Sequence, residues 1–388
     1  MRSGSCPFRA LFFLAVLLPA ICAAAEKRPF TEGRFEKGEL RYINDLPVLI
    51  VAGSPEEMGR QKGALTGDVI PSIQDYPKRL LSYAESRSGP DPDREKRLRA
   101  MAESLVRQIP EAHRAELRAF AAQAKLEGQW DLGIMGNVLT DIYRGGFACS
   151  SIIVDAEHST TGGPLFGRNL DFYTLGLIDD YSLVTVHRPT GKHAFATIGY
   201  PGLFGCVSGM NDAGLALAVH EVWFSRDKAT MFNPKGVPYT FCFRRILEEC
   251  ATVEEAEKMI RATERTTLLN LAVCDRKSAA VFEMTPKTVA VRGGEGGLCL
   301  CTNHFRTDEL ATITLCFRYR ALARAYDQLP MSVADVAERL NQVNMNKLTV
   351  HSMVFEPAPL ILNLALAPPA PASAKPMKKL ELEPLFKP

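Results

Sequence analysis

The chain predicts an α+β fold of layered sheets covered by helices, and three observations carry that expectation. Hydrophobic residues make up 46% of its 388 residues and charged residues 23%, with a net charge of +2, a balance that supports a sizeable packed core. From about Ser54 to Gly128 the sequence has helical periodicity and many charges. From Ser150 onward it turns to short β-branched runs divided by Gly and Pro turns, with helices only between blocks of strands. The same figures exclude other classes. Disorder needs few apolar residues and a large net charge, and a nucleic-acid binder needs a dominating basic face.

The N-terminus has the pattern of a secretory signal. Arg2 and Arg9 precede an apolar stretch, Leu11 to Leu18, and Ala23-Ala24-Ala25 supplies small residues for cleavage. Residues 1–25 are therefore expected to be removed, with a mature chain beginning near Glu26 that is secreted or periplasmic. A retained anchor is the competing reading, but the one membrane-like run, Ala10 to Ala25, is too short for a comfortable span. Lipid modification of Cys22 is disfavoured by the bulky Ile21 beside it.

The elements follow in order. Ser54-Pro55-Glu56-Glu57 is a capping box with proline at the first helical position, so a helix starts there. Asp93 to Ile109 and Glu111 to Glu127 carry apolar residues at three- and four-residue spacing, with Pro110 between them and Gly128 as a stop. Strands are predicted at Ser151-Ile152-Ile153-Val154, Tyr181 to Val186 and Ala279 to Glu283, with turns at Gly162-Gly163-Pro164 and a hairpin loop at Gly293 to Gly297. Helices begin at Thr252-Val253-Glu254-Glu255 and Ser332-Val333-Ala334-Asp335. The Pro/Ala-rich tail from Pro368 to Pro376 predicts an extended strap. No internal repeat is present.

Several chemistries lack their residues. His220-Glu221 begins like a zinc-protease helix, but Phe224 stands where the second histidine belongs. There is no G-x-S-x-G elbow and no phosphate-binding G-x-x-x-x-G-K. Beyond the expected signal, eight cysteines remain, and most sit in apolar runs such as Leu271-Ala272-Val273-Cys274, as buried cysteines do. Cys299 and Cys301 share one strand face, yet no second pair at zinc spacing follows.

Cys149 is the exception. It opens the first β run of the second half, and Arg168 and Asp171 follow beyond a hairpin turn that brings them back beside it. A guanidinium there favours the thiolate, and a carboxylate can hold an ammonium or orient a proton acceptor. An ordinary buried cysteine near a structural Arg–Asp pair fits the same spacing.

Cys149-Ser150-Ser151-Ile152 followed by Gly167-Arg168-Asn169-Leu170-Asp171-Phe172 resembles the nucleophile region of the N-terminal-nucleophile cysteine hydrolases. That superfamily includes choloylglycine hydrolases, acid ceramidase, N-acylethanolamine acid amidase and the acyl-CoA:penicillin acyltransferases. Gly209-Met210-Asn211-Asp212-Ala213-Gly214-Leu215 is similar to its G-M-N-x-x-G-L segment, Cys301-Thr302-Asn303-His304-Phe305 to its T-N-[HS] strand, and Phe317-Arg318-Tyr319 to the helix start that follows. Gly53 to Gly63, Leu348 to Phe355, and His304 in place of serine resemble the acyl-CoA:6-aminopenicillanic acid acyltransferase-like branch. The turn between Cys149 and Arg168 is about three residues longer than in compact bile-salt hydrolases.

The resemblance implies a four-layer αββα sandwich, the Ntn-hydrolase fold, with a helical pro-segment over residues 26–148 and a catalytic domain over residues 149–388. It implies Cys149 as a nucleophile whose own α-amino group acts as base. By the same resemblance Arg168 stabilises the thiolate, Asp171 contacts the amino group, Asn303 donates to the oxyanion, Arg318 anchors the set and Glu221 lines it. No cofactor is implied. The expected function is cleavage or transfer at the amide bond of a small N-acyl substrate, after autocatalytic cleavage between Ala148 and Cys149 that leaves the pro-segment bound. Gly145-Gly146 supply backbone freedom for that cut. A papain-like Cys–His protease and a non-catalytic binding protein on the same scaffold are the alternatives. The first lacks its local C-G-x-C-W surroundings, and the intact residue set argues against the second.

Overall fold

A computed structural model describes residues 28–88, 91–126, 137–142, 147–312 and 314–388. The expected signal with Cys6 and Cys22, Glu127, Gly128 and Gly145-Gly146 lie outside the described residues. The segment before Cys149 opens with three strands, β1 (Gly33–Phe35), β2 (Gly38–Ile43) and β3 (Leu46–Gly53). Helices α1 (Pro55–Thr66), α2 (Ile70–Ile73), α3 (Tyr76–Ser88), α4 (Arg94–Val106) and α5 (Glu111–Gln123) follow. The Ser54 capping box is formed as expected, with both reciprocal hydrogen bonds present.

The rest of the chain supplies β4 (Phe147–Val154), β5 (Leu165–Phe172), β6 (Leu183–Pro189), β7 (Phe195–Gly199), β8 (Ser208–Asn211) and β9 (Ala216–Glu221). Helices α6 (Tyr239–Glu249) and α7 (Val253–Ala262) precede β10 (Leu269–Cys274), β11 (Ala279–Met284), β12 (Val289–Gly293) and β13 (Leu298–Cys301). Next come α8 (Phe317–Ala323), α9 (Val333–Asn341), β14 (Thr349–Glu356), β15 (Ile361–Leu366), β16 (Lys378–Glu381) and α10 (Glu383–Phe386). Thr252 and Ser332 cap α7 and α9 through their side-chain oxygens.

Two sheets form among the described residues. One runs β1-β2-β3-β6-β7-β8-β9-β10-β11-β12 and the other β13-β4-β5-β14-β15-β16. Ile50, Val186, Ala218 and Val281 of the first pack against Ile153, Phe166, Met353 and Phe355 of the second, so the central core lies between the sheets. The far face of the larger sheet is covered by Leu105, Leu117, Phe120, Ile246 and Ile260 from α4 to α7. The far face of the smaller sheet is covered by Leu322, Val336 and Leu340 from α8 and α9. Each sheet hides both faces, one against its twin and one under helices, which is the four-layer αββα sandwich.

Three features differ from the sequence reading. The N-terminal segment is not helical alone: β3 pairs in parallel with β6 from Val48↔Val184 to Gly53↔Pro189, so β1 to β3 complete the larger sheet. The glycine run ends in a tight turn closed by Glu295 and Leu298, but its flanking strands, β12 and β13, belong to different sheets. The proline-rich tail carries a short 3-10 turn, Ala372–Ala374, before β16.

A buried ionic cluster ties the segment before Cys149 to the segment after it. A Cβ on Gly59 would lie 2.2 Å from the Glu116 carbonyl oxygen, so only glycine lets α1 approach α5 so closely. This crossing sets Lys62 Nζ 2.6 Å from Glu116 Oε1, while Arg244 of α6 reaches Glu116 Oε2 at 2.5 Å and Glu248 Oε1 at 2.8 Å. His113 and Lys192 close on Glu248 at 3.1 and 2.7 Å. Burial pushes the Lys62 ammonium down to about 8, against the pull of Glu116. Glu116 stays below the usual carboxylate range: burial raises it, but Arg244 and Lys62 outweigh that.

Candidate active site

The site is assembled along four neighbouring strands of the smaller sheet. β4 and β5 pair antiparallel, with Cys149 opposite Leu170, Ser151 opposite Arg168 and Ala148 opposite Asp171. Side chains alternate along a strand. Cys149 and Arg168 therefore share the face of Ile153 and Phe166, turned to the larger sheet. Ser150 and Asn169 face the helices, where Asn169 Nδ2 donates to the Leu340 carbonyl of α9 at 2.7 Å. β14 lies along the far edge of β5 and sets Thr349 opposite Asp171. The Thr349 hydroxyl donates to Asp171 Oδ1 at 2.5 Å.

On the other side of β4 runs β13, with Cys301 opposite Ser151, and the chain leaving it carries Asn303. Asn303 Oδ1 accepts the backbone N–H of Cys149 at 2.6 Å and Arg318 Nη2 at 2.9 Å. Two donors on one atom fix which end of the amide is oxygen. Its Nδ2 donates to the backbone carbonyl of Glu221, at the end of β9, at 2.9 Å. Arg318, in the first turn of α8, also donates to the Cys149 carbonyl oxygen and to Ser150 Oγ, the latter at 3.1 Å. The N–H and the C=O of residue 149 are thus each held by a side chain from a different element.

Cys149, Arg168, Asp171 and Glu221 are buried, and Asn303 is half-buried at the edge of the group. Burial pushes the Cys149 thiol up; the Arg168 charge opposes this most, and Arg318 and the Asp171 backbone N–H add to the opposition. Burial also pushes the Asp171 carboxyl up to about 6, against the Thr349 hydroxyl and the charges of Arg318 and Arg168. None of the three guanidinium nitrogens of Arg168 has a hydrogen-bond partner among the described residues, so it acts on its neighbours by charge. Burial, helped by that charge, drives His220 well below its ordinary range and His351 to about 3, so both are neutral.

The structure therefore brings together Cys149, Arg168, Asp171, Asn303 and Arg318, the residues picked from the sequence, with Glu221 joined through its backbone carbonyl. Sequence reasoning missed Ser150 and Thr349. Thr349 stands in the stretch Leu348 to Phe355, which was singled out without a role, and Ser150 directly follows the cysteine. No histidine is hydrogen-bonded to Cys149 among the described residues: His351 is bound to Ser182 Oγ at 2.9 Å and His304 to Thr302 Oγ1 at 3.0 Å. The eight described cysteines form no disulfide. No group of three or more His, Cys, Asp or Glu residues could hold a metal ion among the described residues, and no described helix is long and apolar enough to cross a membrane.

Comparison with known proteins gives three kinds of likeness. A curated protein of uncharacterised function from Archaeoglobus fulgidus is 24% identical over 285 residues, which is 66% of this chain and 47% of that protein. The chain thus spans about half the length of the curated relative it matches. Among solved structures, the Caenorhabditis elegans ortholog of N-acylethanolamine-hydrolyzing acid amidase superimposes over 60% of this chain and 100% of its own, with TM-score 0.44 and 18% identity. A variant of conjugated bile acid hydrolase from Clostridium perfringens does so over 62% and 94%, with TM-score 0.45 and 15% identity. The family model of acyl-coenzyme A:6-aminopenicillanic acid acyl-transferase matches residues 158–370, more than half of the chain. That match begins after Cys149 and takes in Arg168, Asp171, Glu221, Asn303, Arg318 and Thr349. The chain belongs to the acyl-coenzyme A:6-aminopenicillanic acid acyl-transferase family.

Proposed function

We propose that this protein is a self-processed amidohydrolase or acyltransferase that acts on the amide bond of a small N-acyl substrate through a thioester on Cys149. One observation carries the reading. Asn303 and Arg318 converge on the backbone of residue 149, and the Asn303 oxygen accepts from its nitrogen at 2.6 Å. That nitrogen has no chemistry inside a peptide bond. Freed, it is an amine with a pKa of about 8, able to take the proton of its own thiol.

Maturation then needs one cut. The Cys149 sulfur adds to the Ala148 carbonyl carbon, the Ala148–Cys149 C–N bond breaks, and the nitrogen leaves as the free α-amine. Water opens the resulting thioester and releases Ala148 as a carboxylate. Residues 26–148 stay bound, because α1 and α5 bury Lys62, His113 and Glu116 against Arg244 and Glu248 of the larger fragment. Residues 1–25 act as a signal that takes the chain out of the cytoplasm.

In turnover the amine takes the thiol proton and the thiolate adds to the substrate carbonyl. Arg168 supports the thiolate by charge, and Asp171 holds the ammonium. The Asn303 amide carries two N–H groups, one spent on the Glu221 carbonyl, so the second is the oxyanion donor. The ammonium returns its proton to the departing amine, leaving an acyl-thioester that water or another amine resolves. Exposed Trp223 and Phe224 follow Glu221, and exposed Leu315 and Phe317 precede Arg318; exposed apolar side chains next in sequence to two site residues suit an acyl group.

The test is a substrate panel of N-acyl amino acids, N-acyl ethanolamines, penicillins and bile-salt conjugates, run on the purified protein and on Cys149→Ala. Turnover of at least one class is expected, with none left in the variant. Turnover that survives the loss of the thiol overturns the assignment.

A further inference from the structure

The second residue of the stretch from Leu348 to Phe355, Thr349, closes the site on its β14 edge. We propose that Thr349 is a positioning residue of this reaction, its hydroxyl holding the Asp171 carboxylate ready to receive the Cys149 ammonium. The proposal rests on the reading of Cys149 as an N-terminal nucleophile.

Hydrogen-bond accounting gives Thr349 a direction. Its Oγ1 accepts the backbone N–H of Met345 at 2.7 Å and lies 2.5 Å from Asp171 Oδ1. A backbone N–H can only donate, and a hydroxyl has a single proton. The Met345 contact takes a lone pair, so that proton goes to the carboxylate. Oδ1 is pinned in this way, while Asp171 Oδ2 has no hydrogen-bond partner among the described residues. One oxygen is fixed and the other is kept for the amine.

The backbone is shaped to the same end. The pairing of β14 with β5 slips between Thr349 and His351, so Thr349 meets Asp171 directly while His351 meets Leu170. Such an irregularity re-aims one side chain at a site without moving the rest of the strand. Threonine is stiff at χ1, which keeps the hydroxyl on target.

The surroundings define what this donor does. Asp171 feels the charges of the Arg168 guanidinium of its own strand and of Arg318 of α8, and its own charge reaches the Cys149 thiol of β4. His351, the other titratable group on this part of β14, is neutral. Burial favours the protonated acid, and Thr349 is the nearest group that opposes it by hydrogen bonding. A protonated Asp171 cannot hold an ammonium. Loss of the hydroxyl therefore moves the acid limb of activity to higher pH. A hydrogen bond to a charged group is of the size that moves an ionisation by about one to two pH units.

The experiment compares wild type, Thr349→Val and Thr349→Ser by kcat/KM against pH on the best substrate of the panel. Intact mass gives the fraction of cut chain, and thermal unfolding checks the fold. Thr349→Val is expected to shift the acid limb upward by about one to two units, with at least about tenfold lower rates on the acid side and an alkaline plateau within about threefold of wild type. Thr349→Ser is expected to restore the wild-type limb. Thr349→Ala takes the place of the valine variant if that chain does not fold. A cut, active Thr349→Val enzyme with an unshifted acid limb overturns this proposal alone, as does a serine variant that fails to restore the limb. An uncut wild type with full activity overturns the parent reading, and this one with it.

Discussion

Glu116→Gln tests the buried cluster that joins the two halves of the chain. The substitution keeps the volume of the side chain and removes its charge. In the native chain Glu116 lies 2.6 Å from Lys62 and 2.5 Å from Arg244, with all three buried. Without it two cations face each other out of water, and Glu248, already shared with His113 and Lys192, cannot neutralise both. Removing one partner of a buried ion pair costs about 3–5 kcal/mol, because the survivor is left uncompensated. For a folded unit of this size, with about 2.1 cal/mol/K of unfolding entropy per residue, each kcal/mol shifts Tm by about 1–1.5 °C, so a fall of at least about 4 °C is expected. The assay is thermal unfolding at pH 7 in the uncut Cys149→Ala chain, which avoids a two-chain equilibrium. Arg118→Ala is the control: its pair with Glu111 is exposed on both sides, where water screens it and little stability is lost. The double variant Lys62→Met with Glu116→Gln should cost less than the sum of its parts, since the stranded cation has gone. A Glu116→Gln chain that melts within the shift of Arg118→Ala refutes the cluster as a clamp.

Other predictions concern the site itself. Asn303→Ala and Arg168→Ala should each lower turnover by at least about a hundredfold, the usual cost of an oxyanion donor or charged partner; a folded Asn303→Ala enzyme with near-normal kcat removes its assigned role. Asp171 gives stability a pH dependence of defined sign. Its folded carboxyl titrates at about 6 against about 3.9 when unfolded, so the folded chain holds a proton that the unfolded chain has released between those values. The contribution of Asp171 to stability therefore falls as pH rises from about 4 to 6, by at most about 3 kcal/mol. In the uncut Cys149→Ala chain, Asp171→Asn should abolish that component, and equal pH slopes with and without the substitution would contradict the burial argument.

How much of this was legible in the sequence follows from the range of each interaction. The caps at Ser54, Thr252 and Ser332 are contained within four residues, and all three form as expected. The β4–β5 hairpin is also local, so Arg168 and Asp171 return beside Cys149 as their spacing implied. Asn303 and Arg318 lie 154 and 169 residues beyond Cys149, and only the ordered resemblance pointed to them. The parallel pairing of β3 with β6 left no trace, because alternating hydrophobicity marks a strand without naming its neighbour. Glu116 reads as one more charge on an amphipathic helix, and its ion pair with Arg244 joins residues 128 apart. Thr349 carries no charge and no motif of its own. Its role becomes visible once β14 is placed beside β5.

Whether Cys149 works through its own amino group is tested most directly by intact mass with N-terminal sequencing of the active protein. Two fragments that co-purify are expected, the larger beginning with Cys149, and a Cys149→Ala variant should stay one uncut, inactive chain. Full activity from a single polypeptide, with Ala148 still joined to Cys149, would contradict a role for that amino group.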